Sequence, residues 1–97
     1  TDAELWEQLG AAFTGLNRLP DARRCYESAV AHAPDRVVGY ERLAQLLWRG
    51  LNKPEDARAA LERLAAARPL DPDAVFLKAR FEAAAAATSA VTLFTHA

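Results

Sequence analysis

An all-α fold of stacked antiparallel helix pairs is what this sequence predicts, and three observations carry that expectation. Apolar residues recur at three- and four-residue steps through long stretches, the spacing that lines them up on one face of a helix. Short turns containing Asn, Gly and Pro separate those stretches, and no β-branched or aromatic run alternates as a strand would. The third observation is internal repetition. Gly15-Leu16-Asn17-Arg18, followed by Asp21-Ala22-Arg23, returns thirty-five positions later as Gly50-Leu51-Asn52-Lys53, followed by Asp56-Ala57-Arg58.

The first helix is expected over about Asp2 to Thr14, with Thr1 and Glu4 as a capping box and Trp6, Leu9, Gly10 and Phe13 on its inward face. Gly15 to Leu19 makes a turn. Pro20 suits the first position of the second helix, with Asp21 favourably near its positive end. Ala22, Tyr26, Ala29 and Val30 form the inward stripe of that helix, which closes near Ala33-Pro34. Asp35 is the expected cap of a third helix carrying Val37, Tyr40, Leu43, Ala44 and Leu47 inward, with Gly50 helping to close it. Pro54 opens a fourth helix lined by Ala57, Ala60, Leu61, Leu64 and Ala65, and Pro69 ends it. Asp71-Pro72-Asp73 begins a fifth, with Val75, Phe76, Ala79 and Ala83 as its expected inward residues. Past Ala87, Thr88-Ser89 reads as an interruption, and Ala90 to Ala97, with Val91, Leu93 and Phe94, as a short helix packed back on the stack or a frayed tail.

The repeat carries an irregularity. Pro34 returns as Pro69 at the offset of thirty-five, whereas Leu9, Gly10 and Phe13 return one position sooner as Leu43, Ala44 and Leu47. One residue has therefore been added near the end of the third helix. Repeats of this length signal stacked helical units, because one amphipathic pair leaves apolar surface that a second pair covers. Small residues at Gly10, Ala22, Ala29, Ala44 and Ala57 let helix axes approach, and Trp6, Phe13, Tyr26 and Leu47 fill the space between them.

At this point the chain resembles the tetratricopeptide repeat family. Trp6, Leu9, Gly10 and Phe13, then Ala22, Tyr26, Ala29 and Pro34, stand at that family's spacing in the first unit. Tyr40, Leu43, Ala44 and Leu47, then Ala57, Leu61, Leu64 and Pro69, form a more degenerate second. The resemblance implies a single domain stacked as a short right-handed superhelix. It divides into repeats at about 3–36 and 37–71 and a partial or capping unit at about 72–97.

The resemblance also implies a non-catalytic scaffold that binds a protein or peptide on its concave face, lined mainly by the first helix of each pair. The candidates are residues offset from the packing stripe: Glu4, Glu7, Ala11 and Thr14, then Val38, Glu41, Gln45 and Trp48 with Arg42 and Arg49, then Lys78 and Glu82. Some members of the family grip a terminal carboxylate with basic and Asn side chains. Here Glu7 and Ala11, and Glu41 and Gln45, occupy those positions instead. Glu4, Glu7 and Glu41 point to a ligand with apolar anchors and basic character. Trp48, one residue past Leu47, has two readings, a groove-facing anchor or a packing residue on the next helix.

Composition narrows the remaining classes. The chain has 97 residues, 52% of them hydrophobic, with 12 basic and 13 acidic side chains. That balance provides no general attraction to nucleic acid or an acidic membrane, and no stretch is long and apolar enough for membrane insertion. Cys25 is the single cysteine, so no intrachain disulfide forms; it reads as a packing residue, with a reactive thiol as the alternative. His32 and His96 have no ligand spacing, Ser28 and Ser89 no nucleophile elbow, and no phosphate-cradling loop occurs, so no cofactor, metal or catalytic residue is expected. The absence of Met suggests a processed product or excised domain, and the cytoplasm is only the default location. The alternative function is a structural or self-associating segment of a longer helical solenoid, since the incomplete third unit leaves a face to be covered.

Overall fold

Five α-helices and one π-helical turn make up the fold: α1 Asp2–Gly15, α2 Leu19–His32, α3 Val37–Gln45 continued by a π turn Leu46–Gly50, α4 Pro54–Ala67 and α5 Pro72–His96. The structure is a computed structural model describing the backbone of residues 1–96 and the side chains of residues 1–87. No strand occurs among the described residues. Consecutive helices pack against one another, and α3 also touches α1 and α5.

Thr1 caps α1 by accepting the Glu4 backbone N–H at 3.3 Å, satisfying one of the free donors at a helix start. The helix buries Ala3, Glu7 and Gly10, while Trp6 and Phe13 are half-buried and Leu9 is 43% exposed. Leu9 therefore departs from its expected inward place; its counterpart in the next pair, Leu43, is fully enclosed. The difference is that α3 lies between neighbours and α1 forms an outer edge.

α1 ends in a Schellman motif. Asn17 adopts φ 59°, Arg18 N–H donates to Phe13 O at 2.8 Å, and Asn17 N–H donates to Thr14 O at 3.0 Å. Asparagine tolerates the left-handed region better than other residues with a Cβ. α2 then begins at Leu19, so Pro20 takes the second helical position rather than the first; its missing N–H is one the first turn leaves free anyway. Ala22, Cys25, Tyr26, Ala29 and Val30 are buried along α2.

α3 starts one residue later than expected. Its cap is Arg36, without a side-chain hydrogen bond. Asp35 lies one position too early to reach the first free amides, and instead its carbonyl accepts from Arg68 Nη1 at 3.1 Å. Tyr40, Leu43, Ala44, Leu46 and Leu47 from α3 and the π turn meet Ala57, Ala60, Leu61 and Leu64 from α4 in the core. Leu43, Leu47, Leu61 and Leu64 are all under 2% exposed, and each contributes about 1.5–3 kcal/mol of hydrophobic stabilisation.

The added residue is absorbed in the π turn. Leu51 N–H donates to Leu46 O at 2.9 Å, five residues back, and Lys53 N–H donates to Leu47 O at 2.6 Å, six back. The equivalent closing bond of α1 spans five residues, from Arg18 to Phe13. One wider turn thus takes up the insertion, and Asn52 still reaches φ 55° to end the helix as Asn17 does.

α5 overturns the expected register. Ala74, Leu77 and Phe81 are buried, whereas Val75 is 53% and Phe76 64% exposed and Ala79 and Ala83 also face outward. The buried set continues the thirty-four-residue offset, Tyr40 to Ala74, Leu43 to Leu77 and Leu47 to Phe81. α5 is also continuous through Thr88-Ser89 to His96 instead of breaking into a short returning helix. Where Asn17 and Asn52 end their helices, α5 carries alanines, which favour continuation. The side chains of Val91, Leu93, Phe94 and His96 lie outside the described residues.

Candidate functional site

Two cavities flank the ridge formed by Gln45 and Arg49. The first, about 210 Å³, lies between α3 with its π turn, α4 and α5, where Ala44, Leu61, Leu77, Phe81 and Ala84 form its apolar lining. Glu41, Gln45, Trp48, Arg49 and Arg80 surround that lining with polar groups and an indole. The second, about 250 Å³, opens on the other side of the ridge toward α2, over Leu19, Tyr26 and Leu46, with Thr14, Arg42, Gln45 and Arg49 at its edge.

Trp48 is placed by the π turn. The half-buried indole meets Phe81 edge-on, with ring centroids 5.1 Å apart and an interplanar angle of 76°, a favourable arrangement for aromatic quadrupoles. The Arg49 guanidinium lies 5.0 Å from its ring centroid, a cation–π contact that holds both side chains at the cavity mouth. Trp48 thus packs on the next helix and also lines the first cavity.

The expected glutamates are occupied by arginines. Glu7 is 6% exposed and accepts from Arg36 Nε at 2.8 Å and Arg36 Nη2 at 3.1 Å. Glu4 stands 3.7 Å from the same guanidinium, and hydrogen bonding to Glu7 raises the Arg36 pKa above its ordinary value. Glu41 pairs with Arg80 at 3.4 Å. Two guanidiniums thus offset most of the negative charge of Glu4, Glu7 and Glu41, and Glu7 is a structural carboxylate linking α1 to the start of α3.

Of the candidates, Glu41, Gln45, Trp48 and Arg49 come together, with Arg42 and Thr14 beside the second cavity. Glu4, Glu7, Ala11 and Val38 line neither cavity, nor do Lys78 and Glu82, the latter paired with Arg58 at 2.9 Å. Leu77, Arg80, Phe81 and Ala84 of α5 were missed. The thirty-four-residue offset that aligns Leu43 with Leu77 and Leu47 with Phe81 is the signal that finds two of them.

Among the described residues no buried side-chain nitrogen or oxygen lacks a hydrogen-bond partner. Cys25 is 5% exposed, and burial raises its thiol pKa, which keeps it protonated and weakly nucleophilic. His32 Nδ1 lies 2.8 Å from the Ser28 carbonyl oxygen, and its ring sits 6.3 Å from that of Trp6. No cluster of metal-ligating side chains occurs among the described residues, nor any helix long and apolar enough to cross a membrane.

Comparison with known proteins agrees with the helix-pair architecture. The family model described as tetratricopeptide repeat matches residues 3–46, which span the first helix pair and α3 up to the first residue of the π turn. No curated protein and no solved structure gives a match. With α1, α2 and α3 carrying that match, residues 3–46 are similar to the tetratricopeptide repeat family.

Proposed function

We propose that this chain is a non-catalytic scaffold that binds a peptide segment of a partner protein along the ridge of α3 and its π turn. Tetratricopeptide repeats are generally protein-interaction scaffolds. The observation that carries the finer reading is the apolar cavity beneath Trp48 and Phe81. At about 210 Å³ it is smaller than the roughly 300–1,000 Å³ clefts that enclose whole small molecules. It suits one bulky side chain presented by a peptide, with the indole as an anchoring wall.

Selection from a random peptide library by the intact chain tests this. Recovered peptides are expected to share a bulky apolar residue and to bind Trp48→Ala at least about tenfold more weakly. Ala84→Leu, which fills the cavity while keeping the aromatic pair, is expected to weaken binding similarly without lowering the melting temperature. Peptides indifferent to both substitutions, or a selection that enriches none, would overturn the proposal.

One observation favours a second reading, a structural or self-associating segment. Val75 and Phe76 on α5 and Leu5 on α1 are each more than half exposed, so both outer helices present apolar side chains.

A further inference from the structure

Arg42 and Arg49 differ from the other arginines of this chain. Every other arginine has a carboxylate within ion-pair distance. Among the described residues Arg42 and Arg49 have none, and both line the second cavity with Gln45 between them. Arg49 also lines the first cavity, where Arg80 and Glu41 offset one another. The ridge between two apolar hollows therefore carries unbalanced positive charge in a molecule whose formal net charge is −1.

We infer that the ligand is an acidic peptide in which an internal Asp or Glu side chain, flanked by apolar residues, bonds to Arg42 and Arg49 while its neighbours enter the two cavities. This rests on the peptide-binding reading above and adds the sign and position of the ligand's charge. It reverses the basic ligand expected from Glu4, Glu7 and Glu41, since each of those carboxylates faces an arginine.

The chemistry favours a carboxylate. Guanidinium groups present paired N–H donors that match its two oxygens. The stacking of Arg49 on Trp48 restricts that side chain before binding, so less conformational freedom is lost when the ligand arrives. The Gln45 amide, between the two arginines, can donate to the carboxylate or accept from the peptide backbone. A lysine at the same place in the ligand would meet two positive charges with no acid to offset them.

Three acetylated and amidated peptides with Phe-Glu-Leu, Phe-Gln-Leu and Phe-Lys-Leu cores in Gly-Ser flanks separate charge from anchoring, and blocked ends remove the terminal carboxylate. Binding is read from Trp48 fluorescence in a Trp6→Phe background. The Glu peptide is expected to bind about tenfold more tightly than the Lys peptide at low salt. The preference should fall to about onefold in the Arg42→Gln, Arg49→Gln double variant, while the Gln peptide changes little. Equal or tighter binding of the Lys peptide, or a preference that survives both substitutions, overturns the charge assignment and leaves the peptide-binding reading standing. Binding of none of the three removes both. A single-stranded oligonucleotide that binds more tightly than any of them would assign the arginines to phosphate, also against the inference.

Discussion

A methyl group at position 10 would stand 2.6 Å from Cε1 of Tyr26 and under 3 Å from two further ring atoms. Tyr26 is 3% exposed and closely surrounded, so its ring has little room to retreat. Overpacking of this kind costs roughly 1–3 kcal/mol, more than the approximately 1 kcal/mol that alanine gains over glycine in a helix. Gly10→Ala is therefore expected to lower the melting temperature. Gly15→Ala, with nothing within 4 Å of the added carbon, should raise it slightly, and thermal denaturation of the pair checks both signs. The small-against-large match of Gly10 and Tyr26 was legible in the helical spacing. The fate of Glu7 was not, because it depends on Arg36, twenty-nine residues away, and a polar side chain on a helix looks exposed until its distant partner is placed.

Among the elements, α5 shows most clearly what a helix start contributes. Asp71 Oδ1 accepts the Asp73 backbone N–H at 2.9 Å, and Arg68 bonds to the other oxygen. The Asp73 N–H, followed by Arg68, lowers the Asp71 pKa below its ordinary value. A carboxyl whose folded-state pKa is depressed contributes stability above its unfolded pKa, about 3.9, and loses it as pH falls through the lower folded value. Wild type should exceed Asp71→Ala in stability at pH 6, and the gap should narrow as the buffer is taken from about pH 4 towards 2. Urea titrations across that range check the slope, and a gap that widens with acid would contradict it. The existence of α5 was readable from Asp71-Pro72-Asp73, but its facing was not. Alanine and larger apolar residues surround its axis, so periodicity alone cannot tell Ala74, Leu77 and Phe81 from Val75, Phe76 and Ala79. The turn residues of the two earlier pairs were readable because asparagine at a left-handed position is a local requirement.

For the whole molecule, the question is what becomes of its outer helices. The Cα envelope measures 49 × 35 × 15 Å, a thin slab whose α1 and α5 surfaces hold Leu5 at 63% and Phe76 at 64% exposure. Contact between such surfaces on different copies would be head-to-tail or symmetric according to which helices meet. The self-association reading predicts a light-scattering mass that rises with concentration for the native chain and stays monomeric for Phe76→Glu. A monomeric native mass throughout the series removes that reading and leaves the proposed peptide-binding reading standing. Helix pairing was visible at this scale in the repeat itself. The cavities were not, because each needs side chains from at least three elements to close around the same space.

The widened turn at Leu46–Gly50 has one further consequence. An extra amino acid inside a regular helix would normally swing everything after it by about 100°, misdirecting the partner helix and its leucines. Here the disturbance is confined, and Asp56, Ala57 and Arg58 arrive where Asp21, Ala22 and Arg23 lead one to look for them. Individuality has been granted to one copy of a modular unit without disturbing its joint to the next, so the side chains at Trp48 and Arg49 can differ from those of the first pair on an unchanged frame.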